Sequence, residues 1–263
     1  MTARSTRAAD SGGADRGDVE RRNVERRNIE RRVIASFHLV RYAGVDAMRY
    51  MAFDRPELRR PGGPSFWRLL GTGRGRSMSL GADLHRWALF AVWDEEPALE
   101  AFLARSPIVR RWREEAEEAW HVRLLPAASR GRWGGRDPFA SAEPAPVIPR
   151  RPVAVLTRAS IRPARLAAFY RAVPAVDREL RRADGCLASV GIGEWPLARQ
   201  ATFSLWKDED ALARFAYRPG AHRTMIARVR DENWYAEELF ARFVPYGSQG
   251  TWDGRDPLRD VPG

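Results

Sequence analysis

The chain has 263 residues, 44% of them hydrophobic, with 45 Lys+Arg against 34 Asp+Glu for a net charge of +11. That length suits one large domain or two ordinary ones, and no apolar run approaches the ~18 to 20 residues of a membrane-spanning helix, which excludes an integral helical membrane protein. The N-terminus lacks the apolar segment of a secretory signal, and the lone Cys186 excludes an internal disulfide and a multi-cysteine metal site, so a cytoplasmic protein is expected.

The first segment, residues 1–35, runs through Val19-Glu-Arg-Arg-Asn23 and Val24-Glu-Arg-Arg-Asn28 to Ile29-Glu-Arg-Arg-Val33, a five-residue repeat. Period five matches neither a helical stripe nor a strand, so its apolar residues gather on no face, and a disordered arm is expected. Contact of this arm with an anionic membrane surface or a partner stays open. Nine Arg and six acidic residues lie in it, so most of the excess charge is spread over the rest. Lys207 is the only lysine, and without a basic cluster no nucleic-acid partner is expected.

Beyond the arm the chain repeats itself once. Arg86-Trp-Ala-Leu-Phe-Ala-Val-Trp-Asp94 and Ala98-Leu-Glu-Ala-Phe102 return as Arg199-Gln-Ala-Thr-Phe-Ser-Leu-Trp-Lys207 and Ala211-Leu-Ala-Arg-Phe215, at an offset of 113. Arg132-Trp-Gly-Gly-Arg-Asp-Pro-Phe139 returns as Thr251-Trp-Asp-Gly-Arg-Asp-Pro-Leu258, at an offset of 119. Copy one is assigned to 36–140, a Pro-rich linker to 141–151 and copy two to 152–258.

In copy two, Val153–Arg158 reads as a strand and Pro163–Arg182 as a helix with Leu166, Phe169, Tyr170, Val173 and Leu180 at helical spacing. Gly185 stops it, Cys186–Ile192 and Gln200–Trp206 form a hairpin, and Asp208 caps a helix over Glu209–Tyr217. Pro219 starts another helix to about Asn233, and Leu239–Pro245 is a final strand, giving βαββαβ; copy one follows the same order. Two such units with helices on one face each bury their open faces by packing together. The expected fold is α+β, with tandem ferredoxin-like repeats forming an intramolecular dimeric α+β barrel.

Differences between the copies mark specialisation. In the third strand Ala88, Phe90 and Val92 match Ala201, Phe203 and Leu205, and this face is expected to pack under the helices. On the opposite face Trp87, Leu89 and Ala91 become Gln200, Thr202 and Ser204, expected to line a pocket between the sheets; internal hydrogen bonding is the plainer alternative. Of the histidines, His38, His85 and His121 are ordinary. His222 lies with Met225, Ile226 and Val229 at i, i+3, i+4 and i+7, on a helix stripe where copy one has Val109. Such an imidazole suits a buried core histidine or an axial haem ligand.

Gly71-Thr-Gly-Arg-Gly-Arg-Ser77 lacks a P-loop's Gly-Lys ending, but Arg74 and Arg76 on that turn are candidates for a carboxylate such as a haem propionate. There is no Gly-x-Ser-x-Gly, Cys186 lies in an apolar strand, and Glu237-Glu238 reads as a solvated pair beside a helix end.

The Gly71–Ser77 and Arg86–Trp93 segments, Gly191-Ile-Gly-Glu194, Arg199–Trp206, Phe215-Ala-Tyr217 and Trp234-Tyr-Ala-Glu-Glu-Leu-Phe-Ala-Arg-Phe243 together resemble the spheroidene monooxygenase family of carotenoid biosynthesis, over about residues 36–258. The resemblance implies a haem-dependent monooxygenase acting on an apolar polyene or another secondary metabolite, with haem b held by His222 and covered by Met225 and Ile226. Arg199, Gln200, Thr202 and Ser204 become candidate distal catalytic residues. An external electron donor, ferredoxin-like or a reductase, is implied because no flavin or nicotinamide fingerprint is visible. Dehydratase, peroxidase or nitrogen-oxide chemistry on the same haem, a cofactor-free barrel oxygenase or isomerase, and a non-catalytic carrier are the alternatives. Peripheral membrane contact and homo-oligomerisation remain open.

Overall fold

The computed structural model describes residues 32–73, 81–195 and 199–259. The first half runs β1 (Ile34–Tyr42), a 3-10 turn, α1 (Tyr50–Leu58), β2 (Phe66–Gly73), β3 (Ala82–Trp93), α2 (Glu96–Arg105), α3 (Pro107–Glu115) and β4 (Ala116–Gly131). The second runs β5 (Val153–Ile161), a short 3-10 turn, α4 (Leu166–Arg181), β6 (Cys186–Trp195), β7 (Arg199–Trp206), α5 (Glu209–Tyr217), α6 (Ala221–Asp231) and β8 (Tyr235–Gly250). The β1 strand takes in Ile34 and Ala35, two residues allotted to the arm; the rest of the arm, up to residue 31, lies outside the described residues. Among the described residues no helix is long and apolar enough to cross a membrane.

Local chemistry sets the helix starts. Asp208 accepts from the Ala211 N–H at 2.7 Å and caps α5, and Ser106 accepts from the Ile108 N–H at 3.2 Å ahead of Pro107 in α3.

All eight strands pair antiparallel in one closed barrel, in the order β1-β3-β2-β6-β7-β5-β8-β4, with β4 returning to β1. Each half therefore contributes four neighbouring strands, β4-β1-β3-β2 and β8-β5-β7-β6. Closure leaves no sheet edge to template aggregation. The final strand is longer than the expected Leu239–Pro245, because it pairs with β5 from Tyr235 to Phe243 and with β4 from Leu239 to Gly250.

The barrel interior is filled from both halves. Phe37 of β1 stacks on Phe203 of β7 with ring centroids 4.0 Å apart, and Phe90, Phe139 and Phe243 meet beside them. Each fully buried Phe contributes about 2–3 kcal/mol. The twice-used Trp-x-Gly-Arg-Asp-Pro turns bring Trp133 and Trp252 into this core. Each turn is held by the other half: Gly134 and Gly135 donate N–H bonds of 2.8 and 2.6 Å to Glu237 on β8, and Gly254 donates one of 2.7 Å to Glu118 on β4. Glu237 is thus not a solvated residue at a helix end. It sits on a strand, accepts from the buried Arg158, and is held below the usual carboxylate range by the Gly134 and Gly135 N–H groups and Arg158, against the opposing effect of burial. Arg68 and the Trp133 indole both donate to Glu194, at 2.6 and 2.5 Å.

Candidate functional site

The two faces of β3 and β7 are the reverse of the expectation. Ala88, Phe90, Val92, Ala201, Phe203 and Leu205 point into the barrel, where bulky residues from both halves interlock. The alternating face, with Gln200, Thr202 and Ser204, lies under the helices. A strand buried on both sides shows the same period of two whichever side faces inward, so alternation separates the faces without naming them.

Cross-strand register then allows the helix-facing floors of the halves to be compared row by row. In the first half Leu89 is flanked by His38 and Leu69, and Ala91 by Trp67. In the second, Thr202 is flanked by Thr157 and Gly191, and Ser204 by Ser189. The next row exchanges Trp87 beside Gly71 for Gln200 beside Gly193. On the outer strands His121 beside His38 becomes Phe240 beside Thr157. Leu89, Leu69, Trp67, His38 and Trp87 give way to Thr202, Gly191, Ser189, Thr157 and Gln200, whereas Ser36 beside Ala91 becomes the larger Val155 and His121 becomes Phe240.

The helices above show the consequence. Ile108, Val109 and Trp112 of α3 are buried against a continuous apolar cluster, whereas α6 has no buried residue. The apolar contacts of the second half fall into two separate clusters, one around Val155 and Trp206 and one around Phe169 and Trp234. Between them Thr157, at the centre of β5, is exposed although Val155 and Ala159 on the same face are buried. The second half is therefore less continuously packed between sheet and helices around Thr157 and Thr202, while the first half holds a small pocket under α1 lined by Tyr42, Asp54, Leu69, Leu89 and Trp112.

His222 lies at the start of α6, over this side of the sheet. Its ring packs on Phe215 at 4.6 Å, and its Nδ1 is buried without a hydrogen-bond partner. Burial lowers its pKa, outweighing the Glu179 carboxylate and the Ala216 carbonyl, so the imidazole is neutral at pH 7 with a lone pair to offer. The helix start is fixed by Glu179 of α4, which accepts from the His222 N–H at 2.9 Å. Gly220 permits this, since a Cβ there would collide with that carboxylate. Met225 and Val229 join the Phe169 cluster, and Ile226 is half-buried.

The other candidates separate. Gln200 is buried on the floor and hydrogen-bonds the Tyr170 phenol of α4, whose pKa burial raises. Ser204 is buried too, and its Oγ accepts from the Trp206 indole at 3.0 Å. Arg199 alternates away from this face and pairs with Glu194 at 3.6 Å. Arg74 and Arg76 lie outside the described residues. Thr157, Gly191, Ser189 and Tyr170 do not stand out as site residues in the sequence, whose repeat matches leave the first two strands of the copies unaligned; pairing register brings the first three to the site and the Gln200 hydrogen bond brings Tyr170.

His38 and His121, equivalent to Thr157 and Phe240, fill the same place in the first half. Their Nδ1 atoms are 3.0 Å apart, His38 Nε2 lies 2.8 Å from Ser36 Oγ, and the His121 ring stacks on Trp112. Among the described residues no three His, Cys, Asp or Glu side chains gather to hold a metal ion.

No protein-family model matches the chain. Its fold is similar to crystal structures of aldoxime dehydratase, one at TM-score 0.57 and 14% identity over 89% of each chain, and one in complex with butyraldoxime at TM-score 0.57 and 11% identity. The sequence is similar to spheroidene monooxygenase of Cereibacter sphaeroides, 37% identical over 74% of this chain and 60% of that protein. It is 35% identical to the Rhodobacter capsulatus enzyme over 86% of this chain and 95% of that one, and 41% identical to the Rubrivivax gelatinosus enzyme over 79% and 78%. With that identity over most of both chains, the protein belongs to the spheroidene monooxygenase family, a family of oxidoreductases.

Proposed function

We propose that the discontinuously packed space between sheet and helices of the second half opens as a recess that holds haem, and that the protein is a haem-dependent monooxygenase of an apolar polyene, of the kind its relatives are named for. The observation that carries this reading is the pairing of a stripped floor with a half-buried roof: Thr202 and Gly191 stand where the first half has Leu89 and Leu69, beneath a helix whose inward residues His222, Met225, Ile226 and Val229 are only partly buried. The residues present fit the group. His222 offers a neutral imidazole with an unpartnered buried nitrogen, and Met225, Ile226 and Phe215 supply apolar contact around it. Haem b held there supplies the redox chemistry that activates dioxygen for insertion into an unactivated carbon.

The chain's own groups do the rest. Burial keeps His222 unprotonated, so it enters as a ligand without first losing a proton. The Thr202 hydroxyl and the Gln200 amide, the latter braced by Tyr170, present hydrogen-bond donors above the floor. Ser204 holds Trp206 in place. Phe215, Met225 and Val229 limit water. Electrons come from an external donor.

We also read the two halves as tandem ferredoxin-like units, supported by their shared element order, their matching strand orders and the sequence repeat.

With haem, a reductant and isotopically labelled dioxygen, spheroidene should be converted to a product carrying label from the gas. Label derived only from water, or undiminished turnover by colourless iron-free protein, contradicts the reading.

A further inference from the structure

We propose that the outer surface of α5 and α6 is the docking site for an acidic electron-transfer protein, an inference that rests on the haem reading above. The stretch Arg214–Arg230 holds five arginines and no acidic residue, and it contains His222. The equivalent stretch of the first half, 101–117, holds four arginines and three glutamates. The excess of positive charge is therefore particular to the half with the recess.

Arg214, Arg218, Arg223, Arg228 and Arg230 are all exposed. Arg228 is engaged by Glu232, and Arg214 reaches Asp184 at 4.0 Å between two exposed side chains, a contact of little strength. Arg218, Arg223 and Arg230 make no ion pair among the described residues. Asp210 and Asp231 are exposed at the margins. Arg223 and Arg230 lie two turns apart on one flank of α6, beside the stripe carrying His222, Met225 and Val229. Tyr217 projects from the same surface, 76% exposed, and its carbonyl accepts from Arg223 at 3.5 Å.

This surface backs directly onto the ligand candidate. Phe215, whose ring packs on His222, is two residues from Tyr217. A partner seated here would cover the helix pair that carries His222 and the Phe215 ring packed on it. Positive charge without a broad apolar patch suits a transient, electrostatically steered acidic protein better than a lipid surface, which needs several apolar side chains to enter it. In the step served, the partner's reduced iron–sulfur centre would give up one electron and be oxidised, and the haem that His222 would hold would accept it; no bond or proton would move.

The test uses the full chain and an acidic [2Fe–2S] ferredoxin. Binding should weaken steeply as salt rises from about 50 to about 300 mM. Arg218→Glu/Arg223→Glu should weaken it about tenfold or more at low salt. The matched control Arg55→Glu/Arg59→Glu, at the end of α1 and just after it, should not. In haem-loaded protein the first variant should slow reduction by ferredoxin while leaving reduction by dithionite unchanged. Equal affinity of both variants, salt-independent binding, or capture by phosphatidylglycerol vesicles without ferredoxin binding would overturn the proposal. The two readings fail separately: salt-sensitive, variant-sensitive binding in a chain that takes no haem supports the docking surface and removes the cofactor, whereas full haem loading with charge-insensitive reduction removes the docking surface alone.

Discussion

Thr202 decides how much room the second half has. Its counterpart Leu89 is 1% exposed and packs against the first half's helices, while Thr202 is only half-buried beside exposed Thr157. Thr202→Leu restores the first-half residue, so it should leave thermal stability within about 1 kcal/mol of the parent if the proposed recess above it has room for the added methyl groups. Haem affinity should fall about tenfold or more, the cost of filling a ligand's place with a few methylene equivalents. Haem titration beside a melting curve checks both. The histidines carry a second prediction. Burial holds His38 well below its ordinary pKa and His121 down to about 4, with Arg123 adding to both. The unfolded chain titrates them near 6.5 and so binds more protons as pH falls through that value, which means stability is lost from about pH 7 downward. His121 alone accounts for about 2 kcal/mol by pH 5, and His222 acts with the same sign. Replacing the pair as His38→Leu/His121→Phe should flatten the fall of melting temperature between pH 7 and pH 5; parallel slopes in the two proteins would refute the assignment.

Among the elements, what the sequence discloses depends on what each strand must satisfy. The Glu209–Tyr217 helix is readable to its ends because Asp208 caps it locally and Arg218-Pro-Gly stops it. The polar stripe of β7 is readable because the chain contains its own comparison in β3. Its direction is not, since only a long-range contact, Phe37 on Phe203, fixes which face enters the barrel. Thr157 and Gly191 are invisible as site residues until register sets them beside Thr202. The length of β8 is hidden for a related reason: Glu237 looks solvated until the Gly134–Gly135 turn of the other half closes on it. That turn gives an element-scale prediction. Arg158 is 3% exposed and paired with Glu237, so Glu237→Ala strands a buried guanidinium near a single remaining carboxylate, Glu194 at 4.0 Å. A loss of about 2–4 kcal/mol is expected in denaturant unfolding, with Glu237→Gln losing less. A change under about 0.5 kcal/mol in the Ala variant would mean the turn is not held by this contact.

At the scale of the molecule, the two halves share one interior and divide the outer labour. Both contribute to the barrel core, and each holds the other's terminal turn, so the barrel is a common scaffold. Outside it, the first half gathers Trp112 and Leu89 into one apolar cluster beside a small pocket under α1, and the second divides its apolar contacts into two clusters and carries His222. This asymmetry is what the proposed haem site in the second half rests on. The most direct measurement is the absorption spectrum of the purified protein titrated with haem, alongside His222→Ala and a Val109→Ala variant of the equivalent first-half position. A Soret band that forms in the parent and in Val109→Ala but is lost in His222→Ala is the predicted result. A band that persists unchanged in His222→Ala, or none in the parent at saturating haem, would contradict the account.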